Sequence, residues 1–100
     1  MELTGRRIII TGAASGIGLT TARRFARAGA ALALTDRNAD GLTAVATELG
    51  ALARAGDVTD EAFCAAFVHE AAATMGGLDG LINVAGVVSR SRLEETTLDE

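Results

Sequence analysis

Short apolar runs, each closed by a glycine or an acid, punctuate this chain. The first, Arg7-Ile8-Ile9-Ile10-Thr11, is β-branched and ends at Gly12, the form of a buried strand. Helix formers then run from Leu19 to Ala28 and stop at Gly29, a C-terminal capping residue. A second apolar run, Ala31 to Asp36, ends in an acid and predicts a second strand. Asn38 or Asp40 caps the next helix, where Leu42, Val45 and Leu49 recur at helical spacing before Gly50. A weaker third strand is expected over Ala51 to Ala55, before Gly56-Asp57. Thr59-Asp60-Glu61 opens a third helix with acids where the macrodipole favours them. Phe63, Phe67, Ala71 and Met75 trace a stripe along it as far as Gly76-Gly77. Leu78 to Val84 reads as a fourth strand, broken at Ala85-Gly86. The order is βαβαβαβ with short connections. Parallel neighbours need crossover connections, and these are right-handed, so the pattern predicts an α/β fold with helices on both faces of a parallel sheet. No repeat, low-complexity segment or internal linker interrupts it.

One hundred residues suffice for one small domain with one core. Apolar residues make up 49% of the chain and aromatic residues 3%, which suits Ala, Val, Ile and Leu packed between helix and sheet and excludes a disordered chain. The nine basic residues are all Arg, scattered singly or in pairs within a net charge of -4. With no basic stripe, nucleic acid is not expected as a partner. The longest apolar runs, such as Ala28 to Leu34, fall far short of the ~20 residues of a spanning helix, so no membrane partner is expected either. Met1 to Arg7 leads straight into a three-residue Ile run, too short for a signal-peptide core. A single cysteine, Cys64, forms no intramolecular disulfide, and a reducing cytoplasm is the expected compartment.

The candidate chemistry lies at Thr11-Gly12-Ala13-Ala14-Ser15-Gly16-Ile17-Gly18, where the first strand gives way to the first helix. Gly12 permits the tight exit, Gly16 lets backbone approach a pyrophosphate, and Gly18 lets the helix pack closely on the sheet. Free N–H groups of the first helical turn, Ile17 among them, then face the phosphates, and Ser15 is placed to bond one. An ordinary strand–helix turn is the alternative. Asp36 ends the second strand 24 residues after Gly12. That is near the ~20-residue offset of the acid that binds an adenosine ribose. A carboxylate there accepts from both ribose hydroxyls and repels a 2′-phosphate, which favours NAD over NADP. Asp36 could instead serve only the start of the next helix. Arg37 beside it could neutralise a 2′-phosphate or stack on adenine.

With Gly-x-x-x-Gly-x-Gly rather than Gly-x-Gly-x-x-Gly, the turn resembles that of the short-chain dehydrogenases/reductases. Gly56-Asp57-Val58-Thr59 is similar to the family's third-strand segment, in which the acid meets the adenine amino group and the next backbone caps the ring. Gly77 to Gly86 resembles its fourth-strand segment, commonly ending Asn-Asn-Ala-Gly; here Val84 replaces the second Asn, while Asn83, Ala85 and Gly86 remain. The resemblance implies a Rossmann-type doubly wound parallel sheet in the order 3-2-1-4, incomplete at this length. It implies NAD at Gly12, Ser15, Gly16, Ile17, Gly18, Asp36, Arg37, Asp57, Val58, Asn83, Ala85 and Gly86. Asn83 carries over a nicotinamide-ribose contact and a bonding role in the central strands.

The same family uses a Ser, an Asn and a Tyr-x-x-x-Lys for acid–base chemistry, and all of them lie beyond the segment matching residue 100. This chain has no Tyr and no Lys. Residues 1–100 are therefore expected to be the N-terminal cofactor-binding part of an NAD-dependent oxidoreductase acting on a small alcohol or carbonyl, truncated before the catalytic half. No catalytic residue and no metal ligand is assigned. A non-catalytic NAD-binding module and one part of a split enzyme are the rivals, and a homo-oligomer stays open. Cys64 is read as a packed thiol, His69 as a surface residue, and Ser89 to Arg92 as a solvated loop or the border of a substrate mouth. Thr97-Leu98-Asp99-Glu100 has the form of a capping box, which predicts a helix continuing in a longer parent. An isolated chain is expected to fold poorly, with one sheet face under a single helix.

Overall fold

The computed structural model describes residues 2–84. Within them run β1 (Arg7–Thr11), α1 (Gly16–Arg27), β2 (Ala31–Asp36), α2 (Ala39–Leu49), β3 (Leu52–Ala55), α3 (Glu61–Met75) and β4 (Gly80–Asn83). Every pair of neighbouring strands is parallel, and the sheet order is β3-β2-β1-β4, as the alternating pattern and the family resemblance predict. Ala85, Gly86, the Ser89–Arg92 cluster and the Thr97–Glu100 capping box lie outside the described residues.

Alternate residues of a strand face opposite sides of its sheet, and here they divide the core in two. Ile8, Ile10, Leu32 and Leu34 pack with Ala22 of α1 and with Leu42 and Val45 of α2. Ile9 and Ala33 pack on the other face with Phe67 and Ala71 of α3. β1 and β2 are thus buried on both faces, which explains their unbroken apolar runs.

The element boundaries carry information about the site. α1 begins at Gly16, not Leu19, because the glycine-rich segment itself supplies the first helical turn. β4 begins at Gly80, not Leu78, and at Asp79 the side chain, rather than a backbone carbonyl, accepts the Arg7 N–H. The Arg7 N–H and Nε both donate to Asp79 Oδ2, at 2.8 and 2.9 Å, and Nη1 donates to the Gly76 carbonyl at 2.6 Å. One arginine therefore ties the end of α3 to the start of both central strands. Asn38, rather than Asp40, caps α2 by accepting from the Gly41 N–H at 3.1 Å. Asp60 caps α3 by accepting from the N–H groups of Ala62 and Phe63.

Candidate cofactor site

The carboxyl ends of β1, β2 and β3 open onto a cleft of ≈ 240 Å³ lined by Gly12, Ser15, Asp36, Arg37, Gly56 and Val58, with Val84 at its β4 side. Five of the sequence-predicted residues, Gly12, Ser15, Asp36, Arg37 and Val58, are brought together there. Gly16 and Ile17 are exposed at the helix start, and Ile17 is 73% exposed.

Local chemistry shapes the turn. Gly12 and Gly16 hold φ values of 67° and 59°, a region that L side chains rarely adopt. A Cβ on Gly16 would meet nothing within 4 Å, so the space over it is open. A Cβ on Gly18 would lie 1.8 Å from the Gly12 carbonyl oxygen, so this glycine allows the close approach of α1 to the strand exit. Ser15 stands at the helix N-cap, but its side chain makes no capping bond, and the first turn of α1 holds no acid. An N-terminal turn whose amide donors lack intrahelical partners, with no carboxylate to occupy them, suits an anion.

Asp36 is braced against this turn. Its Oδ2 accepts from the Ala14 N–H and its Oδ1 from the Asn38 N–H, both at 2.9 Å. A carboxylate offers about four acceptor positions, so two such bonds fix its orientation and leave capacity for a ligand diol. Asp36 thus supports the entry to α2 and also lines the cleft. Asp57 is held in the same way, its Oδ1 accepting from the Thr59 N–H at 2.9 Å and the Thr59 hydroxyl at 2.7 Å. These two bonds, with a smaller contribution from Arg37, keep the Asp57 carboxyl below the usual carboxylate range.

Asn83 lies elsewhere. It lines a second, larger cavity of ≈ 350 Å³ on the α3 face of the sheet. The Thr11 hydroxyl donates to Asn83 Oδ1 at 2.7 Å and accepts from the Val84 N–H at 3.0 Å, joining the ends of β1 and β4. The bonding role in the central strands is visible in that pair.

Sequence reasoning missed the supporting residues Thr11, Thr59 and Cys64. For Thr59 a signal existed, because Asp-x-Thr is a spacing at which side chains bond nearby backbone. For Thr11 none did, since its partner lies 72 positions away. Cys64 is half-buried, with its thiol on the Val58 carbonyl, and His69 is exposed. Among the described residues, no helix is long and apolar enough to cross a membrane.

The chain belongs to the short-chain dehydrogenase family, whose pattern matches residues 6–100. It is 40% identical over 104 residues to a D-threitol dehydrogenase of Mycolicibacterium smegmatis, covering 99% of this chain and 40% of that protein. A gluconate 5-dehydrogenase of Gluconobacter oxydans is 42% identical, with 94% of this chain and 39% of that protein covered. Among solved structures, a 3-ketoacyl-(acyl-carrier-protein) reductase from Brucella melitensis complexed with NADH superposes with a TM-score of 0.78 at 34% identity, covering 94% of this chain and 43% of that one. A short-chain type dehydrogenase/reductase from Mycobacterium marinum gives 0.80 at 34% identity, over 97% of this chain and 43% of that one. The chain therefore spans about 40% of the length of the curated relatives it matches.

Proposed function

We propose that these residues are the NAD(H)-binding portion of an oxidoreductase that interconverts a small alcohol and its carbonyl compound. The observation that carries this reading is the braced Asp36 carboxylate at the end of β2, in one cleft with Gly12 and Ser15. Ser15 and the first amides of α1, Gly16 to Gly18, would hold the pyrophosphate. Asp36 would hold the adenosine ribose, Asp57 and Val58 the adenine, and Asn83 with Ala85 and Gly86 the nicotinamide end. When bound, the nicotinamide supplies the hydride acceptor or donor. Orientation and exclusion of the phosphorylated analogue fall to the chain's own residues.

Arg37 supports a rival NADP reading, because it lines the same cleft. Against that, an Asp36 carboxylate in the same cleft repels a 2′-phosphate. A relative from a Sphingomonas strain, 44% identical over 84 residues, is named as an NAD(+)-dependent 2-dehydro-3-deoxy-L-rhamnonate dehydrogenase, which agrees with the NAD reading. Titration with NADH and NADPH tests it. NADH should bind more tightly, and Asp36→Ser should narrow the gap. Equal or tighter NADPH binding by the unaltered protein would transfer the assignment to Arg37.

The family's acid–base pair is a Tyr and a Lys, and neither residue type occurs here. The hundred residues alone should transfer no hydride, and turnover of any alcohol by them would refute the partial reading. Their one cysteine, a free thiol, suits a reducing compartment such as the cytoplasm.

A further inference from the structure

Val58 stands between two cavities. It lines the cleft that holds Ser15 and Asp36, and it also lines the larger cavity on the α3 face. The short connection it belongs to is braced from within by Thr59 on Asp57 and by the Asp60 N–H on the Asp57 carbonyl at 3.0 Å. At its far end the connection joins α3 at Asp60, the cap that accepts from the Ala62 and Phe63 N–H groups, two residues beyond Val58. The Val58 carbonyl meets the body of that helix through one bond, accepting from the Cys64 thiol at 3.1 Å. Cys64 is itself fixed, since its N–H donates to the Asp60 carbonyl at 3.0 Å in the first turn of α3.

The α3-side cavity leaves ≈ 350 Å³ unfilled behind Val58. Thr35 lines the same cavity at 1% exposure, and among the described residues its hydroxyl has no partner. Val58 therefore borders open space on the α3 side. The thiol supplies a directed tie across that space. Burial pushes its pKa up, and Asp60, Asp57 and Glu61 push the same way, so at neutral pH it keeps its proton and donates.

We propose that Cys64 is a positioning residue for the adenosine end of the cofactor site, its thiol holding Val58 at the cleft wall through the Val58 carbonyl. The inference rests on the NAD(H) reading above. Its prediction is selective: loss of the thiol donor loosens the wall that meets adenosine and leaves the far end of the cofactor unaffected.

The test measures dissociation constants of NADH, ADP-ribose and nicotinamide mononucleotide for the unaltered protein and for Cys64→Ser, Cys64→Ala and Cys64→Val, well below each melting temperature. Cys64→Ala and Cys64→Val should weaken NADH and ADP-ribose about three- to five-fold, the effect of one modest hydrogen bond. Cys64→Ser, which keeps a donor, should restore binding to within about two-fold. Nicotinamide mononucleotide should bind all four proteins alike. Cys64→Val retains side-chain volume, so a packing loss confined to Cys64→Ala is told apart from loss of the donor. If both donor-less variants bind ADP-ribose as the unaltered protein does, or all three ligands weaken together, the positioning role is overturned. Failure of the unaltered protein to bind either NADH or ADP-ribose would instead overturn the cofactor reading, and this inference with it.

Discussion

Gly16 and Gly18 are two positions apart and are small for different reasons. Gly16 needs a left-handed backbone under open space, whereas Gly18 needs the absence of a Cβ against the Gly12 carbonyl. Asn tolerates the left-handed region, so Gly16→Asn should lower stability by less than about 1 kcal/mol. In Gly18→Ala the added carbon meets backbone that cannot rotate away, and a loss of about 1–3 kcal/mol or more is expected. Chemical denaturation of the two variants checks the order, and a milder effect at Gly18 would contradict the geometry. Thr35 offers the opposite sign. Among the described residues its buried hydroxyl has no partner, so Thr35→Val, which keeps the shape, should leave stability unchanged or raise it by up to about 1 kcal/mol. A clear loss of stability would mean that a buried water bonds that hydroxyl.

Arg7 and Asp79 determine how the β4 element meets β1. Asp79 accepts from the Arg7 N–H and from two guanidinium nitrogens, and these bonds bring its pKa down to about 2. A carboxyl whose folded pKa lies below its unfolded value stabilises the fold above the unfolded pKa, near 3.8. That contribution is lost as pH falls toward about 2. Asp79→Asn should therefore be less stable than the unaltered protein at pH 5, with the difference shrinking steadily as acid is added. A difference constant from pH 5 to pH 2 would show that the charge of Asp79 does not support the strand. The sequence displayed the elements themselves, because glycines close the helices and β-branched runs form the strands buried on both faces. It did not display the pairs that lock them. Arg7 to Asp79 and Thr11 to Asn83 each join residues 72 positions apart, and only the crossover topology makes them neighbours. Asp36 and the glycine turn were legible because each sits at a strand end, where residue type and spacing already point at a ligand.

At the scale of the whole molecule, the two sheet faces are unequally covered. Among the described residues α1 and α2 close one face over Ile8, Ile10, Leu32 and Leu34, while α3 alone covers the other. On that second face Leu81 is 45% exposed and Val68 38% exposed, beside the ≈ 350 Å³ cavity. Among the described residues β4 pairs only with β1, so its other edge presents free backbone groups. Apolar surface beside an open edge promotes association, and the hundred residues alone should show unfolding that depends on protein concentration. Leu81→Gln separates two origins of that behaviour. In the hundred-residue chain it should reduce association and hardly change the unfolding midpoint, because Leu81 there faces solvent. In a protein of the relatives' full length, where further sequence would cover this face, the same substitution should bury an amide and lower stability by about 1–3 kcal/mol. Sedimentation at several concentrations, together with denaturation of both lengths, decides the matter. A monomeric hundred-residue chain with a single concentration-independent transition would mean that α3 covers its face well enough alone, and would favour a self-sufficient binding module over the cofactor-binding part of a larger enzyme.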